Sequence, residues 1–67
     1  MQLHQFLRYI HAGTGILLLD IQGVEILRVR DKDQIPVDLY EYNVTDITLG
    51  CFDQPGQRYC LYIGLEK

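Results

Sequence analysis

Serine does not occur in this chain, cysteine occurs only twice, and the six basic residues lie scattered among nine acids. Each shortage excludes something. Without serine there is no G-x-S-x-G nucleophile elbow. Cys51 and Cys60 lack C-x-x-C spacing and are too few for a disulfide scaffold, so packed, reduced thiols are expected, with a cross-strand disulfide as the alternative. A formal charge of -3 and the lack of a basic stripe argue against tight direct binding to nucleic acid, because that affinity comes from Lys and Arg neutralising phosphates. Neither G-x-x-x-x-G-K nor G-x-G-x-x-G is present to cradle a phosphate. No apolar run approaches the roughly 20 residues that span a bilayer. The amphipathic start "MQLHQFLRYIHAG" differs from the uninterrupted apolar stretch of a secretory signal. A soluble, cytoplasmic protein with no membrane partner is expected.

What is present suits a small folded unit. In 67 residues, 48% are hydrophobic and 22% charged, which implies a single domain, 1–67, with a modest core. Leu3, Phe6, Leu7 and Ile10 recur at helical spacing, so residues 2–11 read as a short amphipathic helix ended by Gly13 and Gly15. About ten residues make a marginal helix, which must lay its apolar stripe on a sheet.

Residues 16–30 read as the first hairpin of that sheet. In "DIQG" a type I turn has its favoured Asp first and Gly fourth, with Gly23 left-handed in a G1 bulge. In that register Asp20 opposes Val24 and Leu19 opposes Glu25, so the two carboxylates lie on opposite faces. The competing two-residue turn at Gln22-Gly23 would set Asp20 directly across from Glu25, a repulsive pair unless a cation or proton sat between them. A regular ribbon places Ile16, Leu18, Val24 and Ile26 on one side, with Leu17, Leu19, Leu27 and Val29 on the other. One short helix cannot cover both. The second set is therefore expected to form an oligomer interface, giving a homodimer or a dimer of dimers; the alternative is that "IPVDLYEY" folds over it.

The loop "DKDQ" reads as solvated, and Pro36 opens a single helical or 3₁₀ turn. "VTDITLGCF" alternates as a half-buried strand with Thr45, Ile47, Leu49 and Cys51 on its apolar face. Pro55-Gly56 suits a type II turn. In the final strand Tyr59, Leu61, Ile63 and Leu65 face one way, Cys60, Tyr62 and Gly64 the other. The expected fold is α+β, an N-terminal helix packed on a small four-stranded, mainly antiparallel sheet built from two hairpins.

No catalytic residue, metal ligand or cofactor site emerges from this pattern. His4 and His11 sit about 10 Å apart along a helix, too far to share an ion. The acids of "DKD" lack the spacing, glycine and distal Glu of a calcium loop. Tyrosine is the unusual residue, with five in the chain. Tyr40, Glu41, Tyr42 and Tyr62 are the candidate partner-binding residues, since tyrosine rings offer large contact area and tolerate a wet rim; packing at the core edge is their alternative use.

Taken whole, the helix "LHQFLRYI", the strand-turn-strand and the middle "IPVDLYEYNVTDI", with Ile35-Pro36, Leu39 and Val44, resemble very short proteins encoded by phages and prophages of Firmicutes. The resemblance implies an accessory factor. Proteins of that size include anti-CRISPR and other anti-defence proteins that occupy a surface of a host nuclease complex, and a few act on nucleic acid instead. The favoured expectation is a non-catalytic protein-binding module that inhibits or adapts a host or phage complex. The alternative is a minimal metal-dependent nuclease or nickase acting on DNA, which would need converging carboxylates.

The charge pattern carries its own test. Fluorescence anisotropy with a nonspecific DNA duplex at about 150 mM salt should show binding no tighter than about 10⁻⁶ M, the strong end of nonspecific contacts, and weakening further with salt. Submicromolar binding would overturn this expectation.

Overall fold

The "DIQG" corner forms the turn that its residue types call for. In the computed structural model, which describes residues 1–50 and 60–67, the Gly23 N–H donates to the Asp20 carbonyl at 3.0 Å and the Asp20 N–H donates to the Val24 carbonyl at 2.9 Å. Gly23 takes a φ of +81°. The Asp20 carboxylate closes the corner from within, Oδ1 accepting the N–H groups of Gln22 at 2.8 Å and Val24 at 2.9 Å. Leu19 then pairs with Glu25, as this turn requires and the two-residue turn does not.

Beyond the corner the hairpin departs from a regular ribbon. Strands β1 (Gly15–Leu19) and β2 (Glu25–Val29) pair Leu18 with Leu27, Leu17 with Arg28 and Ile16 with Val29, leaving Ile26 as an extra, bulged residue. Regular continuation from the corner would have set Arg28 opposite Ile16, whose side chain is fully buried, and forced a guanidinium toward the core. The bulge turns the rest of β2 over. Arg28 moves to the side of Leu17 and forms an exposed ion pair with Glu25 at 3.1 Å, while Leu27 and Val29 pack in the cluster of Ile16 and Leu18. The expected interface set is therefore divided between two faces: Leu17 and Leu19 on one, Leu27 and Val29 on the other. Leu17 is also buried within the single chain, 6% exposed, beside Cys60.

The sheet has the order β2-β1-β4-β3. Two antiparallel hairpins lie side by side, and their inner strands, β1 and β4 (Cys60–Glu66), run parallel. Strand β3 (Asn43–Gly50) pairs antiparallel with β4 and carries a second bulge: Val44 opposes Leu65 and Asp46 opposes Gly64, with Thr45 extra. Val44, not Thr45, consequently packs on the main core. The sheet is mixed and mostly antiparallel, and with one helix the fold is α+β. The Pro55-Gly56 turn, Cys51 and Tyr59 lie outside the described residues.

Helix α1 (Leu3–Leu7) is shorter than the stretch 2–11 read from spacing. After Leu7 the chain tightens, with Tyr9 N–H donating to the Phe6 carbonyl and Ile10 N–H to the Leu7 carbonyl, the i to i-3 pattern of a 3₁₀ turn. The stripe survives the change: Leu3, Leu7 and Ile10 are buried with Ile16, Leu18, Val29, Ile35, Ile63 and Leu65. Residues 30–42 cross from the β2 edge to the β3 edge through two 3₁₀ turns, Lys32–Gln34 and Val37–Leu39. Ile35, Leu39, Tyr40 and Tyr42 pack on this same core, so the "IPVDLYEY" segment covers the helix side and not the other face. The "DKD" loop stays on the surface, with none of its residues buried, and its Asp31 carboxylate accepts the N–H of Gly13 at 3.2 Å and that of Asp33 at 3.3 Å. Among the described residues no helix is long and apolar enough to cross a membrane.

Two substitutions test the corner. A Cβ at Gly23 would meet no atom within 4 Å, so Gly23→Val should cost only backbone strain, about 1–3 kcal/mol, and Gly23→Asn less. Asp20→Ala should cost about 1–2 kcal/mol for two lost backbone caps, whereas Asp20→Asn keeps the acceptor and should leave the urea midpoint nearly unchanged.

Candidate functional site

Helix α1 begins with amide groups that need acceptors, and the crossover supplies them. The Leu3 N–H donates to the Tyr42 carbonyl at 2.8 Å and the His4 N–H to the Tyr40 carbonyl at 3.0 Å, taking two of the donors that a helix start leaves open. The Gln2 N–H is held by Gln5 Oε1 at 2.9 Å. At the other end Lys32 Nζ donates to the Leu7 carbonyl at 3.0 Å, a cation on the helix C-terminus. Helix and crossover are thus joined at both ends.

Residues of both elements, His4, Arg8, Val37, Asp38, Tyr40 and Glu41, line a shallow groove of about 760 Å³. A smaller recess of about 210 Å³ continues it past Leu7, Lys32 and Asp33. The 3₁₀ turn that follows Pro36 shapes the wall, with Tyr40 N–H donating to the Val37 carbonyl at 3.0 Å and Leu39 N–H to the Pro36 carbonyl at 3.1 Å. It turns Leu39 inward and leaves Val37 70% exposed. The lining combines an apolar and an aromatic side chain, Val37 and Tyr40, with a cation, Arg8, and two anions, Asp38 and Glu41. His4 Nε2 is engaged 2.8 Å from Gln2 Oε1. Such a surface can grip a peptide or a folded protein by packing and ion pairing.

Three of the four candidate partner-binding residues fall on the crossover. Tyr40 and Glu41 line the groove; Tyr42 is half-buried on the core beneath it. Tyr62 lies on the opposite sheet face with Leu17, Leu19 and Cys60. There its ring occupies the space above Gly50, where an added Cβ would come within 2.5 Å of the ring. Beside it a depression of about 260 Å³ is lined by residues that include Leu19, Asp20, Asp46, Thr48 and Gly64. Sequence reasoning missed Arg8, Val37 and Asp38. His4 and Arg8 stand four apart, the spacing of neighbours on one helix face, and that was their available signal; Val37 carried none, because an apolar residue after Pro36 reads equally well as core.

Asp20 is committed to its turn, and among the described residues no group of three His, Cys, Asp or Glu could hold a metal ion. Comparison with protein-family models, with curated proteins and with solved structures finds no match.

The Tyr62–Gly50 contact makes a measurable pair. Gly50→Ala should destabilise the chain by about 1–3 kcal/mol through overpacking against the ring. Tyr62→Leu should relieve part of that cost, giving a coupling of at least about 0.5 kcal/mol in a double-mutant cycle followed by urea unfolding.

Proposed function

We propose that this protein is a small non-catalytic binding module that docks onto a partner protein complex through the groove between α1 and the crossover and acts there as an inhibitor or adaptor. The carrying observation is Val37: it stands 70% exposed in the lining of a groove between helix and crossover, which Leu3–Tyr42, His4–Tyr40 and Lys32–Leu7 hydrogen bonds tie together. An apolar residue left exposed on a hydrogen-bonded turn, in a lining shared with charges of both signs and a tyrosine, supports a docking surface. The resemblance to short phage and prophage proteins of Firmicutes makes a cytoplasmic host-defence complex the partner class, in the manner of an anti-CRISPR protein. The module works as a homo-oligomer and leaves nucleic acid to its partner. A turn role for Asp20, whose Oδ1 accepts the Gln22 and Val24 amides, supports the binding reading.

A photo-crosslinking amino acid placed at position 37 in cells that contain the partner should give one discrete adduct, and the same group at exposed Gln22 should not. Glu41→Lys, which reverses a charge on the groove wall, should reduce the adduct about tenfold, the effect of roughly 1.4 kcal/mol of lost affinity. Identical products from positions 37 and 22, or an adduct indifferent to Glu41→Lys, would overturn the proposal.

A further inference from the structure

The two edges of the sheet are built differently. Strand β2 is five residues long, carries a bulge at Ile26 and displays the Arg28–Glu25 ion pair, all devices that discourage a second sheet from joining. Strand β3 is eight residues long and forms the outer strand of the described sheet on the other side. Its first residues already accept a strand: Gln2 bridges Asn43 antiparallel, with Leu3 N–H donating to the Tyr42 carbonyl and Val44 N–H to the Met1 carbonyl. From Thr45 onward that edge lies beyond this cover. The Ile47 N–H there donates to the Asp46 carboxylate at 3.0 Å, which places the backbone of Ile47, and by alternation that of Leu49, on the outer side. Their side chains are 43% and 71% exposed.

We infer that the β3 edge from Asp46 to Gly50 pairs antiparallel with the same edge of a second copy of this chain, joining two sheets into one of eight strands about a two-fold axis at Thr48. The occupant follows from self-complementarity. With Thr48 opposite its twin, Ile47 of each copy faces Leu49 of the other, two apolar pairs on one side of the ribbon. Asp46 faces Gly50, so the segment's only charge meets no like charge and no side chain. Ile47 and Leu49, the outward-facing backbone positions, become the hydrogen-bonded pairs, and Thr48 becomes a non-hydrogen-bonded pair with its Cβ atoms close. Each copy exchanges the Asp46 cap on the Ile47 amide for a ladder hydrogen bond. A two-fold contact uses one patch twice and closes, which leaves the blunted β2 edges outermost.

The inference rests on the homo-oligomeric part of the function proposed above and assigns its surface. Sedimentation equilibrium should give twice the 7.8 kDa chain mass at high micromolar concentration. Leu49→Lys, at an exposed position, should weaken the dimer about a hundredfold, because the axis counts each substitution twice, while circular dichroism stays that of the parent. Thr48→Cys in a Cys51→Ser chain, oxidised with diamide, should form an intermolecular disulfide rapidly, since opposed Cβ atoms at such a pair suit one; Asp46→Cys in the same chain should not. A monomer at every concentration would overturn both this inference and the homo-oligomeric reading. A dimer that is indifferent to Leu49→Lys, or that cross-links equally from positions 46 and 48, would overturn the edge alone and leave the homo-oligomer standing.

Discussion

One residue too many in β2 decides which side of the sheet is the inside. If the hairpin ran regularly from the Asp20 corner, Arg28 would oppose Ile16, and a guanidinium would enter a cluster of side chains that are fully or nearly fully buried. Burial of an unpaired charge costs far more than a local kink in a strand. The bulge at Ile26 removes that conflict and recruits Leu27 and Val29 to the core in the same step. The bulge at Thr45 does the matching thing on the other hairpin, bringing Val44 opposite Leu65. With both corrections made, apolar side chains from all four strands converge on the side where Leu3, Leu7 and Ile10 arrive. A five-residue helix, too short to be stable alone, is then sufficient as a lid.

This constraint also separates what could be read in the sequence from what could not. The "DIQG" corner was legible because Asp and Gly at fixed positions have chemical reasons to be there, and the observed hydrogen bonds are those reasons. The faces of β4 were legible because Leu61, Ile63 and Leu65 alternate with Tyr62 and Gly64 without ambiguity, and the structure keeps that division. In "VEILRV" the alternation is ambiguous. Val24 and Ile26 are as apolar as Leu27 and Val29, so spacing alone cannot reveal an inserted residue; only the position of Arg28 relative to the distant Ile16 does, and that relation is tertiary. The same holds for the groove. Tyr40 and Glu41 could be named from composition, whereas Arg8 and Val37 became relevant only when the crossover packed on the helix side.

The glycines on the second face have a related origin. Gly64 stands where the Thr45 bulge brings two residues against one, and a Cβ there would come within 2.8 Å of Thr45 Oγ1. Gly50 makes room for the Tyr62 ring. Neither shows a positive φ, so what each position requires is space and not an unusual backbone. Where the first face is closed by burying large aliphatic residues, the second fits an aromatic ring into room left by omitted side chains, a packing solution that hydrophobic counting cannot anticipate.

The N-terminal segment connects the two surfaces. Its short bridge to the end of the crossover and the start of β3, through Leu3 N–H to Tyr42 and Val44 N–H to Met1, covers the first part of the β3 edge and also starts the helix that forms one wall of the groove. Anything that displaces Met1 from Val44 therefore acts on the strand edge and on the placement of His4 and Arg8 together. In so small a chain the same few backbone hydrogen bonds must serve both. The proposed strand along Asp46 to Gly50 would use backbone groups other than the Val44 amide, which Met1 already occupies, and residues other than those lining the groove. Two copies joined in this way would carry two grooves in a fixed relation, and a partner with repeated subunits could engage both at once, with the second contact made at high effective concentration.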